Sequence, residues 1–243
     1  MNKRFLRSVS ARLGKLVPTG TPLKILRGPL RGARWIAGAA AGEGKGLSPL
    51  LNWAEPEQLE TARKLASPET VCFDIGANVG LYSLLFARYA GHVYAFEPLL
   101  RNLRYLTSTL RLNKVDNVTV VPWAVSDCFG LASFEEGENC ATGRLSRGKG
   151  QPVVAVPLDM FVAFYAVVPA VIKVDVEGAE VRVLEGAREL LSAHRPSILL
   201  STHGQEPRQK CLDLLRSLGY TRFLPLDSPA GSPAQAVDFV VLP

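Results

Sequence analysis

From Thr70 onward, short apolar runs alternate with longer helical patterns, and each of five runs gives way to a polar group. Runs of five or six residues at 71–75, 92–96, 118–122, 171–176 and 197–202 read as buried strands. Between them, 81–89, 99–112 and 179–191 carry apolar residues at helical spacing, as does 207–218 after the fifth run. Strand–helix alternation of this kind demands a mainly parallel sheet with helices on both faces, because parallel strands need crossover connections. The segments at 222–226 and 236–242 have no helix between them, which predicts an antiparallel edge to the sheet. Two extra strands are expected at 131–134 and 153–156 around a glycine-rich loop at 137–150, with a helix at 160–167.

In an open α/β sheet the ligand site lies beyond the carboxyl ends of the strands. The groups found there are the 74–80 loop after the first strand, Glu97 after the second, Asp127 after the third, Asp175–Glu180 after the fourth and His203 after the fifth. The first loop, Asp74-Ile75-Gly76-Ala77-Asn78-Val79-Gly80, offers close backbone approach at its glycines and free N–H groups at the start of the next helix. A dinucleotide fingerprint requires a middle glycine where this chain has Asn78, and a P-loop requires a Gly-Lys-Ser/Thr ending that is absent. Glu97 stands 21 residues beyond Gly76, at the position where an acid hydrogen-bonds ribose hydroxyls. Loop and acid together suit a nucleoside without pyrophosphate. The competing reading of Glu97 is a first-turn acid favoured by the helix dipole.

Several segments then carry a family resemblance: Val-Cys-Phe-Asp-Ile-Gly-Ala-Asn-Val-Gly-Leu-Tyr-Ser, Val-Tyr-Ala-Phe-Glu-Pro, Ala-Val-Ser-Asp, and Ile-Lys-Val-Asp-Val-Glu-Gly-Ala-Glu. From about Thr70 to His203 the chain resembles FkbM-type methyltransferases, with the segment from Lys173 to Glu180 the most specific part. The resemblance implies a class I methyltransferase fold, Rossmann-like, with a seven-stranded, mostly parallel sheet, an antiparallel last strand and a short N-terminal extension. It implies S-adenosylmethionine as methyl donor and a hydroxyl acceptor on a sugar, glycan or secondary metabolite. Carried over by position, Asp74, Gly76, Ala77, Asn78 and Gly80 would hold the methionine part of the donor, Glu97 its ribose, and Ser126 and Asp127 its adenine.

His203 is the first candidate general base, since an unperturbed imidazole titrates near neutrality. Asp175 and Glu177, with Glu180, place three carboxylates within six residues, and their mutual repulsion asks for a positive partner. Donor or acceptor positioning ranks first for them and general-base work second. A divalent cation shared with His203 ranks third, and no metal ligands are assigned from sequence. The alternatives are a nucleotide-dependent oxidoreductase and a non-catalytic S-adenosylmethionine-binding protein.

Charge excludes other partners. Residues 1–34 hold nine Lys or Arg and no acid, leaving 19 basic against 22 acidic residues in the body. A net acidic body argues against a nucleic-acid substrate. Residues 1–20 have amphipathic, basic character, which fits peripheral contact with an anionic membrane. The four cysteines form no CxxC pair, no secretory signal is expected, and a cytoplasmic setting follows. The expected division is an N-terminal arm, hairpin and helix over 1–69 and a catalytic domain over 70–243.

Overall fold

The computed structural model describes residues 17–39, 47–135, 144–146, 150–226 and 236–243. Most of the basic arm and of the glycine-rich loop at 137–150 therefore lies outside the described residues. Among the described residues, no helix is long and apolar enough to cross a membrane.

The chain opens with a small antiparallel hairpin, β1 (Pro22–Lys24) and β2 (Arg34–Ile36), followed by helix α1 (Pro56–Leu65). Then come β3 (Val71–Ile75), α2 (Leu81–Tyr89), β4 (His92–Phe96), α3 (Leu100–Leu112) and β5 (Val118–Val121). An insertion follows with β6 (Ala124–Val125), β7 (Gly130–Glu135), β8 (Arg144–Ser146) and β9 (Gln151–Val156). The remainder runs α4 (Leu158–Tyr165), β10 (Val171–Val174), α5 (Glu180–Glu185), α6 (Arg188–His194), β11 (Ser197–Ser201), α7 (Gln205–Ser217), β12 (Arg222–Pro225) and β13 (Asp238–Leu242).

Seven strands form the central sheet in the order β12-β13-β11-β10-β3-β4-β5. Strands β3, β4, β5, β10 and β11 are parallel, while β13 runs antiparallel to both of its neighbours. The expected seven-stranded sheet with an antiparallel last strand is therefore present. The antiparallel edge expected from the last two strands is present as well, with β12 outermost and β13 one strand inside. Burial explains the order, because Phe239, Val240 and Val241 need cover on both faces, whereas most of β12 is exposed and ends in Pro225. Proline is tolerated on an edge strand, where its missing N–H costs no ladder bond. The insertion forms a separate four-stranded sheet, β6-β9-β7-β8, of which only β7 and β9 were expected.

Period-two alternation divides the core. Phe73 and Ile75, Ile172 and Val174, and Ile198 and Leu200 face one side, where α4, α5, α6 and α7 bury Phe161, Val183, Leu190 and Leu215. Cys72, Val171, Leu199 and Val240 face the other, beneath α1 and α2. The lead-in joins this second layer: Ile25, Trp35, Leu59 and Ala62 belong to the same apolar cluster as Tyr82 and Phe86. The Asn113 side chain at the end of α3 accepts from the Arg34 N–H at 2.7 Å and donates to the Arg34 carbonyl at 2.8 Å. This pair ties β2 to the end of α3.

The single helix expected over 179–191 is two helices broken at Gly186. A Cβ at Gly186 would stand 2.0 Å from the Ser126 carbonyl oxygen, so the backbone just after β6 leaves no room for a side chain there. The new start at α6 is capped from a distance. The Asp159 carboxylate on α4 accepts from the N–H groups of Glu189 and Leu190 at 3.0 and 2.9 Å.

Candidate active site

Strand β3 has β4 on one side and β10 on the other, so the sheet order reverses there. A cavity of about 340 Å³ opens at the carboxyl end of that reversal. Its walls include Gly76, Asn78 and Glu97 on one flank and Asp175, Glu177 and His203 on the other. Volumes of this order suit small-molecule sites.

The first flank is built mainly by backbone. Gly76 has φ of +76°, and a Cβ there would lie 1.9 Å from the carbonyl oxygen of Asp175. Only glycine lets the β3 loop pass against the end of β10. The N–H groups of Gly76 and Ala77 both donate to the carbonyl of Phe96. Glu97 is 4% exposed, and its carboxylate accepts from the N–H of Asn78 at 2.8 Å and of Leu99 at 2.9 Å. Burial nevertheless raises the Glu97 carboxyl above its usual range, against the pull of those donors. Asn78 has φ of +50°, and its Oδ1 is buried with no hydrogen-bond partner among the described residues.

Beneath the cavity floor sits a buried ion-pair network. Lys173 and Asp74 are paired in the β10–β3 register and face the α2 side together. Lys173 Nζ lies 3.7 Å from Asp74 and 3.3 Å from Asp175, over the Tyr82 ring, and donates to the Gly76 carbonyl at 3.3 Å. Ser83 donates to Asp74 at 2.6 Å. Burial acts to strip the proton from Lys173, but Asp175, Asp74 and Glu55 outweigh it and hold the ammonium firmly charged. This network pins the glycine loop to β10.

The second flank centres on His203, just beyond β11. Its Nδ1 lies 2.8 Å from Glu180 Oε1, and its Nε2 lies 3.3 Å from Glu177 and 3.9 Å from Asp175. Glu180 is fully buried at the start of α5. The hydrogen bond to Glu180 overcomes the effect of burial and, with Glu177 and Asp175, pushes the imidazole up to about 9. With no cation or substrate beside it, the three carboxylates thus favour the protonated ring, and a positive charge brought against Glu177 and Asp175 would work in the opposite direction. Burial raises the Glu177 carboxyl as well. Glu177 and Glu55 share left-handed backbone with Asn78, at φ of +54° and +47°, so strained non-glycine positions gather on this wall.

Residues 74–222 match the methyltransferase FkbM domain model. The chain belongs to the FkbM methyltransferase family. It is 30% identical over 148 residues to the hexuronic acid methyltransferase AglP of Haloferax volcanii, across 59% of this chain and 60% of that one. It shares its fold with the methyltransferase FkbM of Methylobacillus flagellatus KT, at a TM-score of 0.55 and 17% identity, over 85% of this chain and 56% of the other. The chain thus spans less than two thirds of either protein. The resemblance read from the motifs is correct, and these comparisons give no support to the oxidoreductase alternative.

Six of the residues singled out in the sequence meet at the cavity: Gly76, Asn78, Glu97, Asp175, Glu177 and His203. Five do not line it. Asp74 is aimed at the α2 face by strand alternation, Ala77 is buried behind the loop, and Gly80 starts α2. Ser126 is fully buried at the end of β6, and Asp127 forms an outward pair with Arg182 at 2.8 Å. Glu55, Asn102, Trp123, Ser201 and Asp238 also line the cavity, and sequence reasoning missed them. Tyr82 donates to Glu55 at 2.6 Å, while Ser201 and Gln58 donate to Asp238 at 2.6 and 2.8 Å. Asn102 carried one available signal: it lies one turn into the helix that follows Glu-Pro, within reach of the same strand end.

Proposed function

We propose that this chain transfers a methyl group from S-adenosylmethionine to a hydroxyl group of a sugar or glycan. The observation that carries this reading is the single cavity that brings Glu97 and the His203–Asp175–Glu177 cluster to one void. The likeness to AglP, a hexuronic acid methyltransferase, supports a sugar acceptor.

The lining fits such a donor. Glu97 is a buried carboxylate already oriented by two backbone N–H groups, ready to accept from a ribose diol. Asn78 Oδ1, buried without a partner, awaits a donor group such as an ammonium. Phe96, Leu99, Trp123 and Val125 give the same flank an apolar surface for a flat base. When bound, the donor supplies an activated methyl carbon on a sulfonium, whose bond electrons return to sulfur as the new C–O bond forms.

The protein's work is then placement and proton handling. Holding an acceptor oxygen in line contributes up to about 7–11 kcal/mol in well-oriented systems. Asp175, Glu177 and His203 line the opposite flank of the cavity, and in this reading they position the acceptor hydroxyl and take up its proton. Calorimetry with S-adenosylhomocysteine tests the donor half: saturable binding is expected, and NAD binding in its place would overturn the reading. Mass spectrometry of glycans from cells with and without the protein then identifies the methylated acceptor.

A further inference from the structure

We propose that Asp175, Glu177 and His203 form a divalent-cation site at the acceptor end of the cavity. One ligand atom from each lies within 4.8 Å of the others. In an octahedral ion with bonds of about 2.1 Å, adjacent ligands stand about 3.0 Å apart and opposite ones about 4.2 Å apart. The observed separations of 3.3 and 3.9 Å from His203 Nε2 fall within that span.

The orientation of the imidazole is the second observation. A metal-bound histidine characteristically donates its other ring N–H to a carboxylate, which fixes the ring and makes the free nitrogen a better ligand. Here Nδ1 is held by Glu180 at 2.8 Å, and Nε2 is turned to the two cavity carboxylates. Glu180 is fully buried, receives the Gly178 N–H on the oxygen that holds His203, and leaves Oε2 with no hydrogen-bond partner among the described residues. A buried carboxylate committed to aligning an imidazole is hard to explain for an ordinary exposed acidic patch.

Two carboxylate oxygens with one imidazole suit Mg²⁺ or Mn²⁺ rather than a thiolate-seeking ion. All three residues line the cavity, so the open coordination positions face the void. A sugar hydroxyl entering there becomes a ligand, and the ion's charge lowers the cost of removing its proton. The ion's catalytic part rests on the methyltransferase reading above, whereas its binding does not.

The test uses the full chain and Mn²⁺ alone, followed by electron paramagnetic resonance and by calorimetry without any donor. One Mn²⁺ per chain is expected to bind with a dissociation constant below about 1 mM. Glu177→Gln and Asp175→Asn are each expected to weaken it by about tenfold or more, with unchanged circular dichroism in both and unchanged melting in Glu177→Gln, whereas Asp175→Asn melts lower because it also partners Lys173. Glu206→Gln, on the exposed start of α7, should leave binding unaltered. Mn²⁺ that fails to saturate, or that binds equally well to Glu177→Gln and Asp175→Asn, overturns the site. Methyl transfer that persists in excess EDTA removes the ion from the reaction. Loss of S-adenosylhomocysteine binding with Mn²⁺ binding intact would instead overturn the donor reading alone.

Discussion

Glu97 and Asp127 are both acids beyond strand ends, yet their surroundings give them different work. Glu97 is buried on the cavity wall with backbone donors on both oxygens, while Asp127 turns outward to Arg182. In Glu97→Gln an amide nitrogen must face an N–H of Asn78 or Leu99. That variant should weaken S-adenosylhomocysteine by about tenfold or more, the scale of a lost charge-assisted hydrogen bond. Asp127→Asn should bind it nearly as the parent does; a comparable loss there would restore Asp127 to the adenine pocket. Lys173→Met tests the network under the floor. It leaves Asp74 buried and uncompensated, so urea denaturation should show a loss of about 3–5 kcal/mol. The residues legible in sequence were those just past the end of a parallel strand, since topology alone sends them to the cavity. Asp74 misleads because it belongs to the strand itself, and alternation turns it to the helix side. Glu55 and Asp238 were illegible for another reason: Gln58 joins their neighbourhoods across 180 positions of sequence.

Elements were read with similar unevenness. The parallel strands announced themselves as apolar runs, and their order follows from the family pattern. The break between α5 and α6 did not announce itself, because its cause is the Ser126 carbonyl pressed against Gly186 from another element. The cap on α6 is equally non-local, supplied by Asp159 on α4. Asp159→Ala should therefore cost about 1 kcal/mol in urea denaturation, as loss of an ordinary N-cap does, although it lies outside the helix it caps. No measurable change would mean that water or a neighbouring side chain serves those N–H groups instead.

For the molecule as a whole, the lead-in and the sheet share one apolar layer. Trp35 is 1% exposed and packs in the cluster that holds Tyr82 and Phe86. Trp35→Ala should remove about 3–5 kcal/mol, a large part of the stability of an ordinary domain. Unfolding followed by far-UV circular dichroism and by tryptophan fluorescence should remain a single coincident transition. Two separate transitions would show instead that residues up to 69 fold apart from the rest.

The placement of β13 has a consequence during synthesis. It pairs with β11 on one side and β12 on the other, and it carries Asp238 into the cavity wall. Every other strand of the sheet leaves the ribosome first. Until β13 follows, β11 and β12 expose unpaired ladder groups, the kind of open edge that recruits chaperones or foreign strands. A nascent chain arrested before Asp238 therefore lacks part of the cavity wall and stays adhesive, and the addition of β13 ends both conditions together.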